Sequence, residues 1–302
     1  MSVFNCRKYV AAAIDSILAQ DMPDFECIVV DDGSNDGTAN ILAAYDDERV
    51  RIISLPVNTN HGVAQNLGIG AAQGEYLAMM DADDVAFPQR LAVQARFLDE
   101  HPEIDMVGAR CIRVAETLDR EIDRPAHPVD DAIIKARLLL MNGSSLLHPT
   151  TMVRSSFVRD NNLWYLPRKM SVDTAFWIKC VAKGVRFHAL EQPLIYKRRH
   201  GENVTVRHRN TWEPEKTSLR VELLGMYFPE LTGSEVKSLA LLMESGRSLH
   251  FVELCSAIAA GNKALREVRS FFGESRPHLH AILRDYIARA VSVLSGPRGQ
   301  PA

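Results

Sequence analysis

From Val10 to Val114 the chain alternates helical and extended periodicity, and that rhythm restricts its fold more than any other feature. Val10, Ile14, Ile17 and Leu18 recur at helical spacing until Pro23 ends the run, and Cys27-Ile28-Val29-Val30 then reads as a short buried strand. The alternation continues with a helix over Thr38 to Tyr45, a strand over Val50 to Ser54, a helix over Val63 to Ala72 and a strand over Tyr76 to Met80. Pro88 suits the first turn of a further helix carrying Leu91, Phe97 and Leu98, and Met106 to Val114 follows as a strand. Strand and helix in strict succession predict an α/β domain with an open, mostly parallel sheet flanked by helices.

The pattern changes later in the chain. Asp130 to Leu140 reads as a helix, an irregular Pro- and Ser-containing stretch follows, Asp173 to Lys183 is helical again, and short strands lead to His200. Beyond Val206 the periodicity is helical throughout, with Leu223-Leu224, Leu239 to Met243 and Ile282-Leu283 as apolar anchors. The expected organisation is one α/β domain over 1–205 and a helical appendage over 206–302. Met1 to Asn5 is short for a first strand, which leads us to expect that the opening strand is truncated at this start.

Composition narrows the class. A 302-residue chain that is 46% hydrophobic and 24% charged is globular, and a net charge of −3 with scattered Lys and Arg argues against a nucleic-acid partner. Cys6, Cys27, Cys111, Cys180 and Cys255 form no C-x-x-C pair, so neither a zinc site nor a disulfide framework is expected. No leader-like segment and no apolar run near the roughly 18 residues of a membrane span is present, so a cytoplasmic location is expected. Without a secretion signal, the glycosylation-type triplets at Asn142 and Asn203 read as coincidental.

Two strand ends carry acid. One strand runs into Asp31-Asp32-Gly33-Ser34-Asn35-Asp36-Gly37-Thr38, and the next such site is Asp81-Ala82-Asp83-Asp84 after Met80. In an open parallel sheet ligands bind at the carboxyl ends of strands, where these groups stand. Asp at a helix cap and acid in a solvated loop are the plain alternatives for each segment alone. Three carboxylates in four residues repel unless a cation neutralises them, and an all-oxygen set suits Mg²⁺ or Mn²⁺ bridging a diphosphate. His61, His127, His148 and His188 have no metal-ligand spacing.

The ordered series of segments resembles a family 2 glycosyltransferase with the GT-A fold. Ser2-Val3-Phe4-Asn5, Asp15 to Gln20, Phe25 to Thr38, Asn60-His61-Gly62, Asn66 to Ile69, Ala72 to Tyr76 and Asp81 to Asp84 carry it, followed by His148-Pro149-Thr150, Ser171 to Trp177 and Tyr196 to His200. The resemblance covers roughly 1–205 and stops short of the helical tail. It implies an inverting transferase that moves a sugar from a nucleotide-diphosphate donor to a hydroxyl of a glycan or lipid-linked sugar. The setting it implies is cell-surface polysaccharide or lipopolysaccharide assembly, with peripheral contact at the inner membrane face left open.

Residue by residue, the resemblance implies that Val3, Phe4, Asn5, Asp32, Asn60, Gln65, Asp81 and Ala82 contact the nucleotide sugar. Asp83, with Asp81 and His200, would hold the Mg²⁺ or Mn²⁺ that clamps the diphosphate. Asp173 aligns with the general base, a role a carboxylate can perform at roughly 10²- to 10⁴-fold in rate, and it also reads as a helix N-cap. The chain departs from the family pattern at Val172 and Ala175, where acids are common, and at Gln65, where many relatives carry Arg. His148 has a counterpart near the acceptor side of such enzymes but no role that can be derived. Two other readings stand beside this one: a non-catalytic nucleotide-sugar-binding or scaffold relative, and a sugar nucleotidyltransferase. The latter lacks its Arg- and Lys-bearing glycine loop here. A dinucleotide site at Gly68 to Gly74 is excluded because those glycines close a helix instead of opening one.

Overall fold

The computed structural model describes residues 1–168, 170–203, 213–244, 249–266 and 276–295. The chain forms two compact units, Met1–Asp130 with Leu146–Arg209, and Asp131–Ser145 with Asn210–Ala302.

In the first unit, β1 (Ser2–Val3), β2 (Cys27–Asp31) and β3 (Val50–Ser54) form a parallel three-stranded sheet in the order β1-β2-β3. The β2 register is Val30 beside Ser2 and Asp31 beside Val3 on one edge, and Cys27 to Asp31 beside Val50 to Ser54 on the other. All five β2 residues are buried, because both faces of the strand are covered. Cys27 and Val29 pack with Val10, Ile14 and Ile17 of α1 (Val10–Leu18) and with Leu42 of α2 (Thr38–Leu42). Ile28 and Val30, pointing the other way, pack on Ala64 of α3 (His61–Ala71).

The second sheet has six strands. β4 (Tyr76–Ala78), β8 (Met152–Arg154), β6 (Met106–Ala115), β9 (Phe187–Arg199) and β5 (Val85–Ala86) lie in the order β4-β8-β6-β9-β5, and β7 (Glu121–Asp123) adds to β6. The expectation of a mostly parallel sheet therefore applies to β1–β3 and to β6 against β9, while the β4–β8, β6–β8, β5–β9 and β6–β7 pairs are antiparallel. An isolated parallel bridge, Ser2 to Asp81, joins the sheets, and their shared core includes Val3, Val29, Met80, Ala82, Cys111 and Ile195. α4 (Arg90–Glu100) buries Leu91, Ala95 and Leu98 against Val107 and Met152.

Where short strands were expected before His200, one strand of 13 residues forms. Its pairing with β6 shifts register around Arg110, which faces Pro193, so Glu191 and Gln192 are accommodated as an irregularity. The interruption that makes the sequence read as separate strands is thus a bulge within one.

The second unit joins α5 (Asp131–Leu138) to the helices Glu213–Tyr227, Gly233–Leu242, Phe251–Arg266 and Arg276–Ser295. The described residues beyond 206 are mainly helical, the expected 205/206 boundary lies outside the described residues, and Asp131–Ser145 joins the later helices. That segment groups with the helices because Ile134, Ala136 and Leu138 bury its apolar face, Tyr227 Oη donates to the Lys135 carbonyl at 2.7 Å, and Arg220 Nε to the Leu139 carbonyl at 3.2 Å. Among the described residues no helix is long and apolar enough to cross a membrane.

Candidate active site

The acidic loop follows β4 and is braced from behind. Arg90, fully buried in α4, donates to the Met79 carbonyl at 2.6 Å and to the Thr151 carbonyl at 3.4 Å, and its Nε donates to Gln94 Oε1. Gln94 in turn donates to the Thr150 carbonyl at 2.8 Å. This buried Arg–Gln pair ties the strand before Asp81 to the one-turn helix His148–Thr150.

Asp81, Asp83 and Asp84 each offer an oxygen, and these atoms all lie within 4.8 Å of one another. Their surroundings differ. Asp84 is fully buried, with Oδ1 accepting from the Arg198 backbone N–H at 2.8 Å and Oδ2 3.3 Å from Lys197 Nζ. Burial pushes its carboxyl up to about 7, against the pull of Lys197 and with Asp83 and Asp81 adding to the rise. Asp81 is partly exposed, its Oδ2 3.3 Å from Lys197 Nζ and its Oδ1 3.4 Å from His148 Nδ1. Burial alone would raise that carboxyl too, but Lys197, with His148 and His61 acting in the same sense, holds it well below the usual carboxylate range.

Asp83 faces the end of β9. Its Oδ2, His200 Nε2 and Asn203 Nδ2 converge with pairwise distances of 2.9, 3.0 and 2.9 Å. Its other oxygen accepts no hydrogen bond among the described residues. The His200 ring is buried against Tyr9, centroid to centroid 4.4 Å, and its Nδ1 has no partner among the described residues. Arg198 fixes this corner by donating from Nε to the Asp83 carbonyl at 2.8 Å and from its other guanidinium arm to the Glu116 carbonyl. Oxygens from Asp81 and Asp83 with an imidazole beside them make a donor set that fits a hard divalent cation.

A second constellation adjoins Asp81. His148 Nε2 is 2.8 Å from the Tyr165 hydroxyl, and the Tyr165 ring stacks on Phe176 of α7 (Val172–Ala182) at 4.1 Å. Asp173, half-buried, lies in the first turn of α7, where Thr174 N–H donates to its Oδ1 at 2.8 Å. The helix starts one residue earlier than expected, so Ser171, and not Asp173, holds the N-cap position, with φ 50°. Burial lowers the His61 imidazole from its ordinary value, with Asp81 and Asp173 pulling the other way. Gly62 lets the start of α3 pack closely on Leu166 and on the first turn of α7, since a Cβ there would stand 2.6 Å from the Leu166 carbonyl and 3.2 Å from Val172 Cγ1.

The remaining expected contacts fall in three places. Asp32 is buried with both oxygens engaged, Oδ1 by the Thr59 N–H and hydroxyl at 2.8 and 2.7 Å and Oδ2 by Asn58 Nδ2 and the Asn60 N–H at 3.1 and 3.0 Å. It therefore shapes the β3–α3 loop. Asn60, at φ 145° and ψ 150°, caps α3 by accepting from the Gly62 N–H at 2.8 Å. Val3 and Ala82 have their side chains in the core, and Gln65 is buried with Nε2 3.3 Å from Ser2 Oγ. Phe4 is exposed, and Asn5, at φ 51°, accepts from the Asn35 N–H at 2.9 Å.

Sequence reasoning assigned no role to Lys197, Tyr165 or Asn203. The signal for Lys197 was the basic run Tyr196 to His200. Val85 pairs with Tyr196 in antiparallel register, so one further step sets Asp84 opposite Lys197.

The family model for Glycosyl transferase family 2 matches residues 1–161. The chain belongs to glycosyl transferase family 2. EpsE of Bacillus subtilis (strain 168), named as a glycosyltransferase, is 30% identical over 224 residues, which span 72% of this chain and 78% of EpsE. The poly(ribitol-phosphate) beta-N-acetylglucosaminyltransferase TarS of Staphylococcus aureus (strain Mu50) is 27% identical over 213 residues, 67% of this chain and 35% of TarS. The structure of TarS 1–349 in complex with UDP-GlcNAc superposes with a TM-score of 0.66 at 19% identity, covering 99% of this chain and 91% of that one. Mannosyltransferase PcManGT from Pyrobaculum calidifontis, in complex with GDP-Man and Mn²⁺, superposes with a TM-score of 0.52 at 15% identity over 98% of this chain and 74% of that one. This family 2 glycosyltransferase has the GT-A fold, as its sequence segments implied.

Proposed function

We propose that this glycosyltransferase moves a sugar from a nucleotide-diphosphate donor to an acceptor hydroxyl with inversion, in the assembly of a cell-surface glycan on the cytoplasmic side. The observation that carries the proposal is the cluster of Asp81, Asp83 and Asp84 oxygens within 4.8 Å of one another after β4, with His200 Nε2 2.9 Å from Asp83 Oδ2. In this reading Asp83, with Asp81 and His200, holds a Mg²⁺ or Mn²⁺. When bound, such a cation supplies positive charge to the departing diphosphate. Phe4, Asn5 and Asn60 border the nucleoside, while Asp32 acts through the β3–α3 loop and Gln65 through its contact with Ser2 of β1.

Asp173 takes the acceptor proton. A sugar hydroxyl is a weak nucleophile, and a carboxylate held in the first turn of a helix, half-exposed, can accept its proton as the oxygen attacks the anomeric carbon. The acceptor is a glycan or a lipid-linked sugar; the poly(ribitol-phosphate) named for TarS supports a polymer hydroxyl as acceptor.

The test combines turnover with stereochemistry. With a panel of UDP-, GDP- and dTDP-sugars, the wild-type chain should give a product of opposite anomeric configuration by NMR. Asp173→Asn should bind the same nucleotide with unchanged affinity while transfer falls by roughly 10²- to 10⁴-fold. Retention of configuration, or normal turnover by Asp173→Asn, would overturn the assignment, and nucleotide binding with no transfer to any acceptor would favour a non-catalytic relative.

A further inference from the structure

Lys197 is the cation against which the acidic loop closes. Its Nζ lies 3.3 Å from Asp81 Oδ2 and 3.3 Å from Asp84 Oδ2, and its side chain is 26% exposed, whereas that of Asp84 is 0% exposed. One ammonium thus meets a buried carboxylate on its inner side and a solvent-reaching one on its outer side. The neighbouring cations turn elsewhere: Arg198 bonds the Asp83 and Glu116 carbonyls, and Arg90 bonds the Met79 carbonyl and Gln94 behind the loop. Three carboxylates and one ammonium leave a formal charge of −2 on the loop instead of −3.

We propose that Lys197, anchored on the buried Asp84, is a resident counter-cation that competes with the divalent ion for Asp81. The ion alone is then held weakly and is taken up together with the nucleotide diphosphate. The proposal rests on the reading of Asp81 and Asp83 as cation-holding residues. Its physical basis is that an ammonium and a divalent ion cannot share the same carboxylate oxygens without repulsion, and each oxygen engaged by Nζ has one direction fewer to offer a metal. A diphosphate relieves that competition because it brings acceptor oxygens of its own, and an ammonium on a flexible four-carbon stem can turn to them.

The test is Mn²⁺ titration of the full chain without nucleotide, following free ion by electron paramagnetic resonance, for wild type, Lys197→Met, Lys197→Arg and Asp83→Ala. Lys197→Met should bind Mn²⁺ at least about ten-fold more tightly than wild type, the size of effect one adjacent like charge exerts on an ionisable site, while Lys197→Arg stays close to wild type. The gain in Mn²⁺ affinity on adding UDP should shrink in Lys197→Met. Removing Lys197 strands the buried Asp84 carboxylate, so Asp84→Asn combined with Lys197→Met removes the pair together and should show the same tightening relative to Asp84→Asn alone. Mn²⁺ affinity that is unchanged or weaker in both comparisons, including no binding in any variant, overturns the proposal. The Asp83→Ala arm separates the two claims: tightening by Lys197→Met with indifference to Asp83→Ala would remove Asp83 as the ion's holder and leave the competition by Lys197 standing.

Discussion

Within the acidic loop, position along four residues decides what each carboxylate can do. Asp84 has both oxygens committed to β9, whereas Asp83 keeps one oxygen without a partner among the described residues, so the two should respond differently to substitution. Asp83→Ala should abolish the rise in melting temperature produced by Mn²⁺ plus nucleotide, and Asp84→Asn should retain it; the reverse pattern would exchange their roles. Gly33 offers a purely steric counterpart. It sits at φ +74°, and a Cβ there would lie 2.5 Å from the Val57 backbone carbon, so Gly33→Ala should cost on the order of 1–3 kcal/mol in denaturant unfolding. Asp81 and Asp83 were legible in the sequence because they are contiguous and end a strand. Lys197 and His148 were not, since they reach Asp81 across 116 and 67 residues through a strand register that no local pattern displays. Asp32 was legible as an acid at a strand end, but its partners Asn58 to Asn60 lie 26 to 28 residues away and no local pattern displays them.

Secondary-structure elements followed periodicity closely where apolar spacing was regular. The strand Val50–Ser54 is as expected, α1 spans the expected Val10 to Leu18 spacing and ends before Pro23, and the helix expected from Val63 begins two residues earlier at His61 because Asn60 supplies its cap. Periodicity failed where a bulge interrupted β9, and it could not show that α5 belongs with distant helices. In that second unit, Gly233–Leu242 opens with a capping box in which Thr232 and Glu235 bond each other reciprocally, and Lys263 donates to Glu235 at 2.9 Å. The hydrogen bond from Lys263, with those from Thr232, lowers the Glu235 carboxyl to about 2. A depressed carboxyl contributes stability that is present above its unfolded value of about 4.5 and is lost as the pH falls toward about 2. Glu235→Gln should therefore lower the melting temperature at pH 7 by circular dichroism, with the gap to wild type narrowing between pH 5 and pH 2. A gap independent of pH would assign the effect to packing. Thr232→Ala should cost about 1 kcal/mol at pH 7.

Taken as a whole, the chain assembles its site from beyond the segment that identifies it. The family match ends at residue 161, while Lys197, His200 and Asn203 all come later and reach the acidic loop from the long strand β9 and the residues just after it. The α/β rhythm places the acids at strand ends, and the antiparallel return of β9 beside β5 brings the basic and imidazole groups to them. The central claim is that this arrangement holds a nucleotide diphosphate through a divalent cation on Asp83. The most direct measurement is calorimetric titration of UDP, GDP and dTDP into the purified chain, with Mn²⁺ and again after chelation. The account predicts that one nucleotide binds, that binding with Mn²⁺ is markedly tighter than after chelation, and that Asp83→Ala removes the difference. Equal affinity with and without Mn²⁺, or binding of none of the three, would contradict it.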